Sequence, residues 1–409
     1  MERVVVTGMG VASPLGSDID TFWNGLLEGR SGIVALEGAD FLDQPSRIGG
    51  VVTGYNDSDY FDRKELRRMS RSSQIALVAA SQAIAQAGLD SPQVDPCEIG
   101  VILGSSIGGY AASDHFFRDF YLANKQSPMI IPISMNMGPP ASVSIRYRYQ
   151  GPLMAVDAAC ASAAHAIGHV FNLIRAGYVD IAVTGGADSA LSRGVLMAWC
   201  AMRALSERND DPAHACRPFS ADRDGLVLAE GAGVLVLESE SSALRRGAPI
   251  LAEIRGYGAT SDSFHLTQPT QEGPIRAMVK AVANAGLQLE DIDYINAHGT
   301  ATEWNDKNET AAIKAVFGER AYQVPVVSNK SALGHSIAAS GGLEMVSCIL
   351  SLRDQIVPPT INYTTPDAEC DLDYVTEGKR RVELEHIMTN SFAFGGSNAV
   401  LVVSKYKPA

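Results

Sequence analysis

The sequence of 409 residues lacks the features of several large protein classes. Its six cysteines are scattered, with no CxxC pair and no histidine partner at metal-ligand spacing, which disfavours a disulfide scaffold or a zinc site. No apolar run reaches the ~18 residues that a membrane-spanning helix requires. No basic segment followed by an apolar segment indicates a secretory signal. We therefore expect a soluble, cytoplasmic protein without membrane contact.

Positive charge is also scarce. Lysine and arginine number 33 against 46 acidic residues, which gives a formal net charge of −13 and argues against a nucleic-acid partner. Charged residues make up 19% and hydrophobic residues 46%, so a disordered chain is not expected. This length suits two domains or two fused halves of roughly 200 residues each.

Short apolar runs alternate with alanine-rich helical stretches, which predicts an α/β protein with a buried sheet and helices outside it. The sequence also contains an internal repeat, because the segment 83–89 (AIAQAGL) resembles 281–287 (AVANAGL). A Gly8-Met-Gly10 turn likewise pairs with Gly256-Tyr-Gly258. We therefore expect two similar halves, 1–250 and 251–409, packed as one body.

Cys160 follows an apolar run and precedes an alanine-rich helical stretch, so it is expected at a helix N-terminus. Free backbone N–H groups and the helix dipole favour a thiolate there. The same N–H groups can stabilise an oxyanion by roughly 3–4 kcal/mol. A lone cysteine in an α/β core is more often structural, and this segment alone leaves both interpretations open.

Two histidines lie in segments typical of functional sites. His298 is followed by glycine directly after a predicted strand, where α/β proteins place functional groups. His335 precedes a helix of small residues, and a helix N-terminus lowers an imidazole pKa. Lys330 would need a partner if it were buried, and Glu309 is the candidate. Each residue in isolation also suits an ordinary loop or surface position.

Two further segments stand out. Phe392-Ala-Phe394-Gly-Gly-Ser-Asn398 precedes the last predicted strand, and its adjacent glycines let the backbone approach a ligand and move. The region 62–71 holds five basic and two acidic side chains, a local excess in an acidic protein. This patch is either a solvated helix face or a docking surface for an acidic partner. The Gly8-Met-Gly10 segment lacks the third glycine of a dinucleotide fingerprint.

Taken together, these segments resemble β-ketoacyl-acyl-carrier-protein synthases of the type II condensing-enzyme kind. The resemblance runs along the whole chain. It includes five further motifs: Cys216-Arg-Pro-Phe219, Asp222-Arg-Asp-Gly225, Glu230-Gly-Ala-Gly233, His298-Gly-Thr-Ala-Thr302 and Pro358-Pro-Thr-Ile-Asn362. It implies the thiolase fold, in which two βαβαβαββ halves stack as α-β-α-β-α layers, and it accounts for the repeat.

The resemblance also implies a reaction. Cys160 would receive an acyl group from acyl carrier protein as a thioester. His298 and His335 would hydrogen-bond the malonyl thioester carbonyl as CO2 leaves, and the enolate would attack the acyl-cysteine to give a 3-oxoacyl product. The oxyanion hole would be the backbone N–H groups of Cys160 and Phe394. Lys330 and Glu309 would form a supporting pair.

The remaining implied roles concern substrates and partners. Thr300 and Thr302 would contact phosphopantetheine, and Phe394 would act as a gate. The acyl and malonyl pockets would be lined by Ile107, Trp199 and Phe392. The acidic carrier protein would dock on the basic side chains of Lys64, Arg67, Arg68 and Arg203.

No redox cofactor is implied, because decarboxylation drives the reaction and the substrates arrive on the phosphopantetheine of the carrier. A monovalent cation, Na+ or K+, near Asn296, Glu344 and Asn390 is left open. Family members are homodimers, and a heterodimer with a chain-length-factor-like subunit is also left open. Fatty-acid elongation and a specialised pathway (aryl polyene, nodulation factor or type II polyketide) both fit the sequence. A thiolase would need a second catalytic cysteine near the C-terminus, which the C-terminal motifs do not supply.

One departure from the family pattern bears on specificity. The segment around Trp199 (VLMAWCAM, 195–202) is bulkier than the glycine-rich equivalent of housekeeping enzymes. We therefore expect Trp199 or a neighbour to reshape the acyl pocket.

Overall fold

The protein is described from a computed structural model that covers residues 2–38, 40–91 and 94–408. Within these residues the strands are β1 (Val4–Ala12), β2 (Ile33–Ala35), β3 (Ile48–Gly50), β4 (Ile99–Gly104), β5 (Leu153–Val156), β6 (Ile181–Asp188), β7 (Gly231–Ser239), β8 (Ala252–Ser261), β9 (Tyr294–Asn296), β10 (Val326–Val327), β11 (Ile356–Val357), β12 (Arg380–Arg381), β13 (His386–Ala393) and β14 (Ser397–Ser404).

The helices are α1 (Ile19–Leu27), α2 (Asp57–Tyr60), α3 (Arg63–Leu66), α4 (Arg71–Ala87), α5 (Tyr110–Ala123), α6 (Ile130–Ser134), α7 (Gly138–Tyr147), α8 (Ser162–Arg175), α9 (Arg193–Ala201), α10 (Glu240–Arg246), α11 (Glu272–Ala285), α12 (Glu303–Phe317), α13 (Lys330–Leu333) and α14 (Ser340–Asp354). Short 3-10 turns include Ala159–Ala161, Ile337–Ala339 and Phe394–Gly396. No helix in the described part of the chain is both long and apolar enough to cross a bilayer.

The main sheet has ten strands in the order β10-β9-β13-β14-β8-β1-β7-β6-β4-β5. Its two halves repeat one pattern, because β1, β7, β6, β4 and β5 occupy the same relative places as β8, β14, β13, β9 and β10. In each half the first three of these strands are antiparallel and the remaining pairs are parallel. The halves join where β1 pairs with β8.

Glycines in the two central strands allow helices to lie directly on the sheet. A Cβ at Gly8 would lie 2.1 Å from the carbonyl oxygen of Ala83 on α4, and a Cβ at Gly256 would lie 2.3 Å from that of Ala281 on α11. The expectation that these glycines form turns is wrong, because both pairs lie within strands. Each pair forms the same kind of close contact with the helix that covers it, and this shared packing explains why the sequence pattern repeats.

Two helices fill the space between the halves of the sheet. The buried apolar side chains of α8 and α14 form one core cluster with residues of both halves, whereas α4 and α11 belong to two separate outer clusters. Gly342 of α14 meets Gly233 of β7 so closely that a Cβ on Gly342 would lie 2.3 Å from the Gly233 carbonyl oxygen. The layers are, in order, α4 with α7, one half of the sheet, α8 with α14, the other half of the sheet, and α11 with α12. Cys160 and His335 therefore lie just before two helices of the same central layer.

Candidate active site

Cys160 lies in the 3-10 turn Ala159–Ala161, directly before α8, and only 7% of its surface is exposed. Ala159 has φ +47°, a left-handed conformation that is costly for a residue other than glycine. Burial raises the pKa of the Cys160 thiol to about 12, against the opposing influence of the Lys330 charge. Burial therefore opposes the thiolate that the helix N-terminus favours, and it stabilises the thiol form. Its proton must leave as the sulfur reacts.

His335 is placed with a defined proton position. Its Nε2 lies 3.0 Å from the Sγ of Cys160, while the backbone N–H of Ile337 donates to its Nδ1 at 3.2 Å. The hydroxyl of Ser340 also lies 2.9 Å from Nδ1. Since Nδ1 accepts, the proton of the neutral ring resides on Nε2 and points towards the sulfur. Burial, reinforced by the charge of Lys330, holds the pKa of His335 well below its usual value.

His298 follows β9 and is held in the same way. Its Nδ1 lies 3.4 Å from the Nζ of Lys330, which also donates to the His298 carbonyl oxygen at 2.6 Å. Burial lowers the pKa of His298 well below its usual value, and the Lys330 charge and His335 add to this. The imidazole centres are 5.5 Å apart, and the Sγ of Cys160 and a nitrogen of each ring all lie within 4.8 Å of one another. Two neutral N–H donors thus converge on one sulfur.

The ion pair of Lys330 differs from the expected one. The Lys330 ammonium pairs with Glu344 on α14, and each residue is only 1% exposed. Glu309 instead accepts the backbone N–H groups of His298 and Gly299, both at 2.8 Å. The predicted Lys330–Glu309 pair is therefore wrong. Burial raises the pKa of Glu309 to about 7, and the two donated N–H groups oppose that rise.

A cleft of about 470 Å³ opens above these groups. Cys160 and both histidines line it together with Trp199, Arg203, Thr300, Thr302, Phe392 and Phe394. The two threonine hydroxyls lie 2.8 Å apart. Ile107 does not line this cleft, but belongs to the apolar cluster that contains Cys160, Leu196 and Trp199.

Phe394 lies at the cleft wall and is 37% exposed. Its ring stacks on Trp199, with centroids 5.8 Å apart and an angle of 20° between the planes. Gly395 and Gly396 follow with φ of +80° and +71°, so both positions favour glycine. The Gly395 N–H donates to the carbonyl of Leu266 at 2.7 Å, which ties this turn to a neighbouring loop.

The basic patch is split between two elements. Lys64 on α3 and Arg67 and Arg68 after it are exposed, and no ion pair to another described residue is found for them. Arg71 begins α4 and turns inward to Glu230 at 3.3 Å, so the expected single helix face that includes position 71 is wrong. Arg203 is exposed after α9, at the cleft.

Sequence reasoning did not predict the roles of three buried groups that shape the site. Asp306 accepts the backbone N–H groups of Phe219 at 2.7 Å and Thr300 at 3.1 Å. Glu344 was considered only for a cation, although a lone acid in the apolar stretch after His335 was a usable signal. Asp188, at the end of β6, had no sequence signal beyond its place after an apolar run.

The N-terminal domain model of β-ketoacyl synthases matches residues 1–243, and the C-terminal domain model matches residues 251–364. The chain belongs to the β-ketoacyl synthase family. The predicted family and the predicted α/β thiolase fold are thereby confirmed, and the synthase is an acyltransferase.

Curated relatives cover nearly the whole synthase. It is 41% identical over 412 residues to 3-oxoacyl-[acyl-carrier-protein] synthase 2 of Synechocystis sp., with 99% of each chain covered. It is 42% identical over 401 residues to nodulation protein E of Rhizobium meliloti, with 98% of each chain covered. The synthase is thus about equally similar to proteins with these two names.

Solved structures give the same fold. The ishigamide ketosynthase/chain length factor matches with a TM-score of 0.93 and 34% identity, covering 99% of this chain and 100% of that one. A type II polyketide ketosynthase in complex with its acyl carrier protein, AntDE:AntF, matches with a TM-score of 0.91 and 32% identity, covering 99% and 100%.

Proposed function

We propose that the synthase is a 3-oxoacyl-[acyl-carrier-protein] synthase that joins an acyl group on Cys160 to malonyl-acyl carrier protein by decarboxylative Claisen condensation. The observation that carries this proposal is the convergence of a buried sulfur with two neutral imidazole donors at the base of one cleft. The half 1–250 would supply the nucleophile, and the half 251–409 would supply both histidines and the Phe394 turn.

In the first half-reaction, the Sγ of Cys160 attacks the carbonyl carbon of an acyl thioester. The new S–C bond forms as the bond to the phosphopantetheine sulfur breaks, and the Cys160 proton passes to the departing thiol. The backbone N–H groups of Cys160 and Phe394 would hold the oxyanion. The Nε2–H of His335 stabilises developing negative charge on the sulfur during this step.

In the second half-reaction, malonyl-acyl carrier protein occupies the cleft. The bond between its carboxylate and the α-carbon breaks, CO2 leaves, and the electron pair becomes an enolate. The Nε2–H groups of His298 and His335 donate to the enolate oxygen, and being neutral they do not readily protonate it. The α-carbon then attacks the acyl carbonyl, the S–C bond to Cys160 breaks, and the sulfur regains a proton from solvent.

The cleft walls suit a long substrate arm. Thr300 and Thr302 would hydrogen-bond the phosphopantetheine, since both residues line the cleft on a loop that Asp306 holds. Phe394 would move as the gate between the half-reactions, and it would have to leave its stacking contact with Trp199. Ile107 would line the acyl chain, and Phe392 the malonyl side.

The carrier protein would dock on the exposed cations of Lys64, Arg67, Arg68 and Arg203, whose charge complements an acidic partner. A second subunit would cover the free edge of β5, which ends the ten-stranded order. Leu153 and Met154 on this strand are 40% and 43% exposed, and an exposed apolar edge strand favours pairing with another chain. We expect this partner to be a second copy of the chain, with a chain-length-factor-like subunit as the alternative.

A monovalent cation would fit beside Glu344. Three buried oxygens in this region have no hydrogen-bond partner within the described residues: Glu344 Oε2, Asn390 Oδ1 and Asn329 Oδ1. Asn296, the third residue expected there, donates to Thr389 and accepts from Asn329. Oxygen donors of this kind suit a hard cation such as Na+ or K+. Its contribution would be to contact the Glu344 oxygen that Lys330 does not reach.

A specialised pathway is the second candidate function. It is favoured by the similarity to nodulation protein E and to polyketide ketosynthases, and by the bulky Trp199 at the cleft. Both candidates use the same chemistry and differ in the acyl chain.

Intact mass measurement with a panel of acyl carrier proteins tests the proposal. We expect an acyl adduct on the wild type that is absent from Cys160→Ala, and the panel ranks the chains at the same time. Addition of malonyl-acyl carrier protein should discharge the adduct with release of CO2. An unlabelled wild type under every donor would refute the proposal and favour a non-catalytic partner subunit.

A further inference from the structure

Asp188 is a buried carboxylate that the proposed reaction does not use. It is the last residue of β6, is fully buried, and has no ion-pair partner among the residues that the structure describes. Its Oδ2 accepts the backbone N–H groups of Ile107 at 3.3 Å and Ala338 at 3.2 Å, and its Oδ1 accepts that of Ser189 at 3.2 Å. One carboxylate thus joins three segments: its own strand end, which includes Ser189, and two distant segments.

Two of these segments flank Cys160. Ile107 lies in the loop after β4 and shares an apolar cluster with Cys160. Ala338 lies in the turn Ile337–Ala339, and Ile337 donates the backbone N–H that fixes the proton position of His335. Asp188 therefore bonds both the wall of the acyl site and the turn that orients a catalytic imidazole.

The turn after His335 needs such support. Ile337 has φ +45°, and a β-branched residue in the left-handed region is a true outlier that persists only when its surroundings fix it. The bond from Asp188 to the next residue, Ala338, supplies this constraint. Without it, the Ile337 N–H would no longer be held against the His335 ring.

The loop after β4, which contains Ile107 and Gly108, is held by contacts on two sides. The Ser72 hydroxyl donates to the carbonyl of Gly108 at 3.0 Å. A Cβ at Gly108 would lie 2.5 Å from the Ser72 Oγ and 2.9 Å from the Asp188 Oδ1. Glycine at 108 thus lets the loop approach the carboxylate.

We propose that Asp188 is a positioning residue that joins the Ile107 loop to the His335 turn and thereby sets both the acyl site and the orientation of His335. The inference rests on the proposed roles of Cys160 and His335. It adds an electrostatic consequence, because burial is the main cause of the raised pKa of Cys160 and the Asp188 charge adds to it. Lys330, Glu344, His298 and His335 are the other titratable groups facing that sulfur.

The isosteric variant Asp188→Asn tests the proposal. The asparagine amide keeps one acceptor oxygen, but its NH2 group replaces the other oxygen and cannot accept a hydrogen bond from the backbone N–H groups. We expect malonyl decarboxylation to fall ~10- to 100-fold, since small misplacements of catalytic groups have effects of this size. The pH midpoint of Cys160 alkylation by iodoacetamide should shift downward, because a negative charge near the thiol is lost. A purely structural role would not predict that shift.

Asp293→Asn is the matched control. Asp293 also accepts two backbone N–H groups, those of Glu385 and His386, but belongs to neither loop of the acyl site. We expect wild-type decarboxylation and alkylation from this variant. An Asp188→Asn protein that matches it in both measurements would overturn the inference. A wild type without an acyl adduct would instead count against the proposed function.

Gly108→Ala changes the loop after β4 instead of Asp188 itself. It tests the proposed contact between that loop and Asp188 if Asp188→Asn does not fold. Its added Cβ displaces the loop from Asp188 and Ser72 without removing a charge. We expect an altered ranking of acyl chains with an unchanged alkylation midpoint. An unaltered ranking would contradict the role of this loop contact.

Discussion

The buried ion pair of Lys330 gives the sharpest prediction. Methionine at 330 keeps much of the side-chain volume but removes the charge and every N–H donor, including the one to His298. Glu344 then remains buried, and no partner of its Oε2 is found in the described residues. Removing one member of a buried pair costs about 3–5 kcal/mol. We expect a loss of this size in the free energy of unfolding of Lys330→Met.

The loss should depend on pH in a defined direction. Burial raises the pKa of Glu344 above its usual 4.5, and Lys330 opposes that rise. Without Lys330 the folded-state pKa rises further, so the protonated carboxyl is tolerated at low pH and stability is lost as pH rises through the raised pKa. The penalty of Lys330→Met should therefore be smaller near about pH 5.5 than near about pH 8.

Urea unfolding followed by circular dichroism, at one protein concentration, measures both effects. Lys330→Met/Glu344→Gln should recover most of the stability at the higher pH, because the uncompensated charge is gone. Lys330→Met/Glu309→Gln should not recover it, because Glu309 accepts backbone N–H groups instead. Rescue by the Glu309 change, or an equal penalty at both pH values, would refute the assigned pair.

Three further predictions concern specificity, docking and packing. Trp199→Gly removes the ring stacked on Phe394, so steady-state assays should show a changed acyl-chain preference, and an unchanged profile would contradict a role in the pocket. Arg67→Glu should raise KM for the carrier protein at nearly constant kcat, with a smaller effect at high salt; a salt-independent effect would argue against docking there. Gly342→Ala forces α14 away from Gly233, so we expect a loss of about 1–3 kcal/mol in unfolding assays, and wild-type stability would show that the layer can adjust.

The fold could be predicted because its repeated unit leaves a repeated pattern. Glycine pairs in β1 and β8 and the alanine-rich helices that cover them recur in the same order. The prediction that these glycines form turns was wrong. A pair of glycines gives the same sequence pattern in a turn and in a strand on which a helix packs closely. Only the position of Ala83 over Gly8 shows why a side chain is excluded there.

The errors at the site have a common cause, which is that burial and partners are not local properties. Cys160 does lie before a helix, but its desolvation outweighs the charge that favours ionisation. Glu309 was the predicted partner of Lys330, but the placement of α14 brings Glu344 to it instead. The start of a new helix at Arg71 could have been predicted from the sequence, because Ser70 is a typical N-cap residue. In the structure its side chain accepts the backbone N–H of Ser73.

The Nδ1 atoms of His298 and His335 already accept hydrogen bonds, and this affects the lifetime of the proposed acyl-Cys160 intermediate. Ile337 and Lys330 use the lone pairs with which either ring could take a proton from water. On the proposed mechanism, neither imidazole would then activate a water molecule against a thioester on Cys160. An acylated enzyme of this kind can wait for its second substrate, so the supply of malonyl-carrier rather than spontaneous hydrolysis would decide the fate of the bound chain.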